Sequence, residues 1–253
     1  MTKVNNNPQV VFISGGSKGI GRATVELALK QGWHVAFSYS TNQNSAEQLT
    51  QNAAKQYPNQ LCRAYLLDIK NNSQLETVSE QIIDDFDTIN AVVCNAGIDI
   101  PGNIATFSDE DWHLVLNTNL TGTFNTIRCF LPLFIANRYG RFVTLSSLAK
   151  DGASGQAAYA ASKAGIVGLT QTTAKEYASY GVAANTVVPG LIETDILSDD
   201  PKNITQFFKT YGPSKRLGNC DEVAQAVMFL CSQSAEYING TVLNVTGGSD
   251  WVF

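Results

Sequence analysis

The strongest constraint on this chain is a rhythm. Short β-branched runs near 9–13, 34–38, 61–67, 90–94, 141–146, 183–188 and 241–245 alternate with segments of helical period near 19–31, 44–56, 73–86, 108–137, 158–180 and 220–232. Right-handed crossovers place each intervening helix on a sheet face, so strict alternation builds a parallel sheet covered on both sides. The expected fold is α/β and doubly wound. No Pro-rich or Gly/Ser-rich linker interrupts the rhythm and no internal repeat appears, so residues 1–253 are read as one domain. With 44% hydrophobic and 15% charged residues, the chain has the apolar surface for a sizeable core.

The same inventory excludes several function classes. A net charge of -5, with basic residues spread evenly, gives no footprint for nucleic acid. The apolar runs Val10–Ile13 and Ala91–Cys94 are far shorter than the roughly 18 to 20 residues of a spanning helix, so no membrane segment is expected. The first eight residues lack the apolar middle of a secretory signal, which points to the cytoplasm. Five cysteines without a Cys-x-x-Cys pair read as free thiols, and with only His34 and His113 no metal site is expected.

The first strand runs into Ser14-Gly15-Gly16-Ser17-Lys18-Gly19-Ile20-Gly21, after which a helix begins. Glycines at that junction let the backbone approach a diphosphate closely, and the free N–H groups and positive dipole end of the helix hold its charge. The spacing Gly-x3-Gly-x-Gly is neither a P-loop nor a strict Gly-x-Gly-x-x-Gly. The second strand ends in Ser40-Thr41 and carries no acidic residue there. A carboxylate at that point would bind a ribose 2′-hydroxyl and repel a 2′-phosphate. Its absence, the Lys18 charge and the two hydroxyls favour NADPH.

Farther along, Tyr159 and Lys163 stand four residues apart in an Ala-rich helical segment and therefore share a face. An ammonium beside a phenol favours the phenolate and lowers a pKa that is ordinarily about 10. Bringing it to about 7 needs roughly 4 kcal/mol, more than one screened lysine supplies, so the pair makes sense only beside a cofactor.

In combination, these motifs identify a resemblance. Gly15-x3-Gly19-Ile20-Gly21, Asp68-Ile69, Asn95-Ala96-Gly97, Asn117-Thr118-Asn119, Ser146-Ser147, Tyr159-x3-Lys163 and Pro189-Gly190-Leu191-Ile192-Glu193-Thr194 occur in the order found in the short-chain dehydrogenase/reductase family, and most resemble its 3-oxoacyl-[acyl-carrier-protein] reductases. The resemblance implies a Rossmann-type sheet of seven strands in the order 3-2-1-4-5-6-7. It implies Tyr159 as general acid, and Lys163 as the group that tunes it and holds the nicotinamide ribose. A serine would polarise the substrate carbonyl, and Asn119 would anchor a water of a proton relay. Gly15, Ser17, Lys18, Gly19, Ile20, Gly21, Ser40, Thr41, Asp68, Ile69, Asn95, Ala96, Gly97, Pro189, Gly190, Ile192 and Thr194 would bind NADPH together with Tyr159 and Lys163. Gln156 would face the substrate.

Strand register favours Ser147 as the acting serine, although Ser146 restores the commoner spacing to Tyr159. The resemblance further implies a 3-oxoacyl thioester substrate on acyl carrier protein or CoA, with Arg138 as a carrier-binding cation beside the active-site mouth. The second expected basic position is Tyr180, which weakens the carrier reading. A homotetramer is implied, with 108–137 and 158–180 pairing at one interface and the tail through Trp251 and Phe253 at another. Residues 195–214 break the rhythm and read as a substrate lid. Two other classes stay open: a short-chain alcohol or sugar dehydrogenase, and a nucleotide-sensing protein without chemistry.

Overall fold

The computed structural model describes residues 9–193 and 202–250. In chain order its strands are β1 (Val10–Ser14), β2 (His34–Tyr39), β3 (Cys62–Leu66), β4 (Ala91–Cys94), β5 (Gly140–Leu145), β6 (Val182–Pro189), β7 (Ile192–Glu193), β8 (Gly218–Asn219) and β9 (Val242–Val245). The helices are α1 (Gly19–Lys30), α2 (Gln43–Gln56), α3 (Asn72–Phe86), α4 (Asp109–Leu116), α5 (Gly122–Asn137), α6 (Ala157–Tyr177), α7 (Lys202–Tyr211) and α8 (Cys220–Cys231). Seven strands form one parallel sheet in the order β3-β2-β1-β4-β5-β6-β9, which is the expected topology with β9 as seventh strand.

Alternation along the strands divides the core in two. Val11 and Ile13 of β1 point to the face covered by α1, α2 and α8, where they meet Val25, Leu49 and Val227. Val10 and Phe12 point to the face covered by α3 and α5, where they meet Ile82, Phe130 and Phe134. Burying each such side chain contributes about 1.5–3 kcal/mol. The fit is tight where β5 begins: a Cβ on Gly140 would lie 2.1 Å from the Phe134 ring, so only glycine admits that aromatic.

Three expectations change. The segment 108–137 is not one α-helix, because a π-helical turn at Asn117–Thr121 joins α4 to α5. The 158–180 segment stops as an α-helix at Tyr177 and continues as a 3-10 turn, Ala178–Tyr180. Within the expected lid, 202–211 forms α7, with Phe208 buried; residues 195–201 lie outside the described residues, as do Thr194, Trp251 and Phe253. A two-stranded ladder, β7 with β8, accompanies it.

Strand order reverses between β1 and β4, each the start of a path to one edge of the sheet. At such a switch point the connections leave in opposite directions and open a crevice beyond the carboxyl ends of the strands. The glycine turn follows β1 there, and Asn95 follows β4.

Candidate active site

The turn after β1 is made of backbone contacts. Gly15 and Gly19 have φ of +67° and +52°, left-handed values that disfavour other residues. A Cβ on Gly21 would fall 2.2 Å from the Gly15 carbonyl oxygen, and one on Gly15 would fall 3.0 Å from the Ala96 Cα. Ser14 Oγ accepts from the Asn95 and Ala96 amides at 3.0 and 3.1 Å, while Asn95 Nδ2 donates to the Ser14 and Gly15 carbonyls at 3.1 and 2.9 Å. Ser38 completes the clamp, its Oγ accepting from Gly15 N at 3.2 Å and its carbonyl from Gly16 N at 2.9 Å. Ser14 and Ser38 escaped the sequence reading because a small hydroxyl inside a strand looks like any core residue.

Helix α1 begins with extended Lys18 at its N-cap and no side chain bonded to its first amides. An uncapped helix start above a floor without Cβ atoms fits a diphosphate. Ser17 is buried, Lys18 exposed, and Ile20 half-buried. Ser40 and Thr41 are exposed beyond β2. Asp68 is exposed and accepts from the Lys70 amide at 3.0 Å; Ile69 is buried against Gly122 of α5, where a Cβ would be 2.6 Å from Ile69 Cδ1. Gly190 donates to the Val245 carbonyl at 3.0 Å after Pro189, and Ile192 is buried.

On the opposite flank, α6 presents Tyr159 and Lys163. Ser147 lies just beyond β5, its Oγ accepting from the Ala149 amide at 3.2 Å and its hydroxyl near enough to the phenol to favour the phenolate. Ser146 turns away, its Oγ donating to the Lys163 carbonyl at 2.8 Å. The Lys163 ammonium is buried, donates to the Leu145 carbonyl at 2.8 Å, and sits 5.4 Å from the Tyr159 ring centroid. Burial pushes Lys163 down to about 8, against the Asp99 carboxylate, which raises it.

The phenol departs from the expected lowering. Burial pushes Tyr159 up to about 12; the Ser147 hydroxyl opposes this and the Asp99 charge adds to it. The Lys163 donor points to the Leu145 carbonyl rather than to the phenolic oxygen, so burial prevails.

Asn119 lies in the π-helical turn, fully buried. Its Oδ1 accepts from Ile98 N at 2.8 Å, and its Nδ2 donates to the Ile98 carbonyl at 2.9 Å and to Ser162 Oγ at 3.0 Å. It fixes the Asn95-Ala96-Gly97 loop to α6. A Cβ on Gly97 would lie 3.1 Å from Asn119 Oδ1 and 3.5 Å from Lys163 Nζ, so glycine keeps these groups in one pocket.

Gln156 is the N-cap of α6, and its side-chain amide donates to Asp99, a residue the sequence reading did not single out. Arg138 is not brought to the mouth. It ends α5 and precedes β5, donating to the Ser179 carbonyl at 3.0 Å, whereas Ser147 follows the other end of that strand. Strand β5 separates them by about 20 Å at 3.3 Å per residue. Among the described residues no cluster of potential metal ligands occurs.

Residues 15–250 match the family model described as enoyl-(acyl carrier protein) reductase. The chain is 34% identical to the 3-oxoacyl-[acyl-carrier-protein] reductase of Escherichia coli (strain K12), over 97% of this chain and 98% of that one. It is 36% identical to the corresponding reductase of Vibrio cholerae serotype O1, again over 97% and 98%. Among solved structures, that of levodione reductase superposes with a TM-score of 0.90 at 29% identity, covering 95% of this chain and 96% of that one. A switch-point crevice with a glycine turn on one side and Tyr-x3-Lys on the other defines an oxidoreductase built on a dinucleotide-binding sheet. The chain belongs to the short-chain dehydrogenase/reductase family.

Proposed function

We propose that this protein reduces 3-oxoacyl thioesters, carried on acyl carrier protein or CoA, to 3-hydroxyacyl thioesters with NADPH. The observation that carries the reading is the Tyr159 ring with the buried Lys163 ammonium 5.4 Å from its centroid on one helix, and Ser147 near the phenol. NADPH supplies the hydride when bound. Gly15, Gly19 and Gly21 and the start of α1 would hold its diphosphate, and Ser17, Ile20, Asp68, Ile69, Asn95, Ala96, Gly97, Pro189, Gly190 and Ile192 would line its path; Thr194, also expected there, lies outside the described residues. The 2′-phosphate would meet Lys18, Ser40 and Thr41, which are exposed and have no carboxylate among them.

Ser147 donates to the substrate carbonyl oxygen where negative charge develops. Tyr159 then transfers its phenolic proton to that oxygen. Even raised by burial, a phenol is a stronger acid than the alcohol it protonates, so the transfer runs downhill. Lys163, charged below about 8, restores the proton and holds the ribose, with Asn119 anchoring the relay water and Gln156 facing the substrate.

The carrier reading rests on the reductases to which the chain is similar, because Arg138 lies at the amino end of β5, away from Ser147 at its carboxyl end. The reading includes a soluble cytoplasmic homotetramer. The test is oxidation of NADPH and NADH with acetoacetyl-CoA and acetoacetyl carrier protein. NADPH-dependent turnover of at least one thioester is expected; none with either, or a strong preference for NADH, overturns the corresponding part. The likeness to levodione reductase favours a second reading, reduction of a free ketone, which the same assay exposes.

A further inference from the structure

The mouth of the site carries a negative charge that the proposed chemistry does not require. Asp99 is the second residue after Gly97, and the Ile98 backbone between them is held on both sides by Asn119, at 2.8 and 2.9 Å. The Asp99 carboxylate accepts from the Gln156 side chain, and about one and two turns farther along α6 are Tyr159 and Lys163. The same two strips of chain meet again where Gly102 N donates to the Gly155 carbonyl at 2.8 Å and where Gly102 bridges to Gln156. Between them opens a cavity of about 730 Å³, walled by Gly102, Asn103, Ile104, Gly152, Ser154 and Ala160 among others, with no charged side chain in its lining.

From this juxtaposition we infer that Asp99 is a specificity-determining residue: its charge, held by Gln156 at the start of the helix that carries the phenol and the ammonium, selects neutral 3-oxo compounds and rejects those bearing a free carboxylate. The inference rests on the proposed reductase reading.

A lone ammonium at the reaction centre would attract a 3-oxo carboxylate, the hydrolysis product of the proposed thioester substrate. Asp99 offsets Lys163 and leaves the pair near neutral, so the anion loses its attraction while a thioester is indifferent. Asp99 acts on both α6 groups, holding Lys163 and Tyr159 higher than burial alone would, and Lys163 in turn holds the Asp99 carboxyl down against partial burial. The charged groups of the neighbouring turn, Lys150 and Asp151, are paired with each other.

The test compares acetoacetate with its neutral N-acetylcysteamine thioester in wild type, Asp99→Asn and Asp99→Glu. Asparagine keeps the size and an acceptor for Gln156 while removing the charge; glutamate keeps the charge. In Asp99→Asn the preference for the thioester over acetoacetate, measured as a ratio of kcat/KM, falls about fivefold, the effect of one partly screened charge, and in Asp99→Glu it is retained. An unchanged ratio in Asp99→Asn, or an equal loss in both variants, overturns the inference. Binding is read without turnover by calorimetric titration of acetoacetate into Tyr159→Phe and Tyr159→Phe/Asp99→Asn, each saturated with NADP. Tighter binding to the double variant supports the charge filter even if no thioester is reduced, in which case the reductase reading alone fails; equal binding sinks the filter and leaves that reading intact.

Discussion

The two flanks of the crevice are built on different principles. On the β1–β2 side, Ser14, Ser38 and Asn95 hold the glycine turn through hydrogen bonds between neutral groups, and glycines leave the floor bare. On the β5–α6 side, the groups that matter are displaced from their ordinary values, Tyr159 up to about 12 and Lys163 down to about 8, by burial. A cradle for a phosphate can be made of main chain and costs the fold little. A proton donor has to be a side chain, held where water does not level its pKa, and that placement costs stability.

The largest effect expected from this contrast is that of Tyr159→Phe. Removing one hydroxyl from the β5–α6 flank leaves the cradle alone, so turnover falls about a thousandfold. NADPH affinity, read by fluorescence titration, stays nearly the same. Parallel losses of affinity and turnover would show that the flanks are not separable.

Gly21→Ala strikes the other side. The new methyl falls 2.2 Å from the Gly15 carbonyl and 2.6 Å from Asn95 Nδ2, so the turn must open. Overpacking of this kind costs about 1–3 kcal/mol, seen as a melting temperature lower by several degrees. Nucleotide affinity falls at least about tenfold, the loss of more than 1.4 kcal/mol of binding.

Lys163→Met sharpens the comparison through stability. The folded value of about 8 lies below the ordinary 10.5, so the fold disfavours the charged form, at a cost of about 3 kcal/mol. Methionine removes that cost but orphans the Leu145 carbonyl, about 1 kcal/mol, leaving a net gain of roughly 2 kcal/mol. The gain is full below pH 8. It shrinks as pH rises toward 10.5, because the unfolded chain then binds the extra proton and the wild type recovers. Denaturant midpoints at neutral and alkaline pH read it directly, and a destabilised variant at pH 7 would contradict the assignment of cost to this flank.

Ser40→Asp is the mildest change, leaving both flanks folded. A carboxylate beyond β2 opposes a 2′-phosphate, so the NADPH-to-NADH ratio of kcat/KM falls about tenfold. An unchanged ratio removes Ser40 from the phosphate site.

The sheet was legible because each strand is a β-branched run bounded by a turn and the crossovers are right-handed; its strand order came from the family resemblance. The glycine turn was legible for the same reason: it sits at a strand–helix junction that only bare backbone can make. The π-helical turn was not, since one extra residue in a turn barely disturbs an apolar period, and what it achieves, aiming Asn119 at the Ile98 backbone, is a tertiary event. Asp99 was illegible because a lone loop acid looks solvated until the fold brings Gln156 to bond it. Burial overturned the phenol's expected direction: the four-residue spacing places Lys163 beside Tyr159, but not where the ammonium donates. The position of Arg138 was not legible either: the helix end that precedes β5 lies at the strand's amino end, opposite the carboxyl end that Ser147 follows.

The central claim is that the Tyr159 phenol faces the reactive ring of a nucleotide held on the glycine turn. Ultraviolet difference titration of wild type against Tyr159→Phe isolates this phenol, with and without saturating NADP. The account predicts titration near 12 in the free protein, and well below that once the positively charged ring adjoins it. A phenol that titrates identically with the nucleotide bound would place the ring elsewhere and contradict the account.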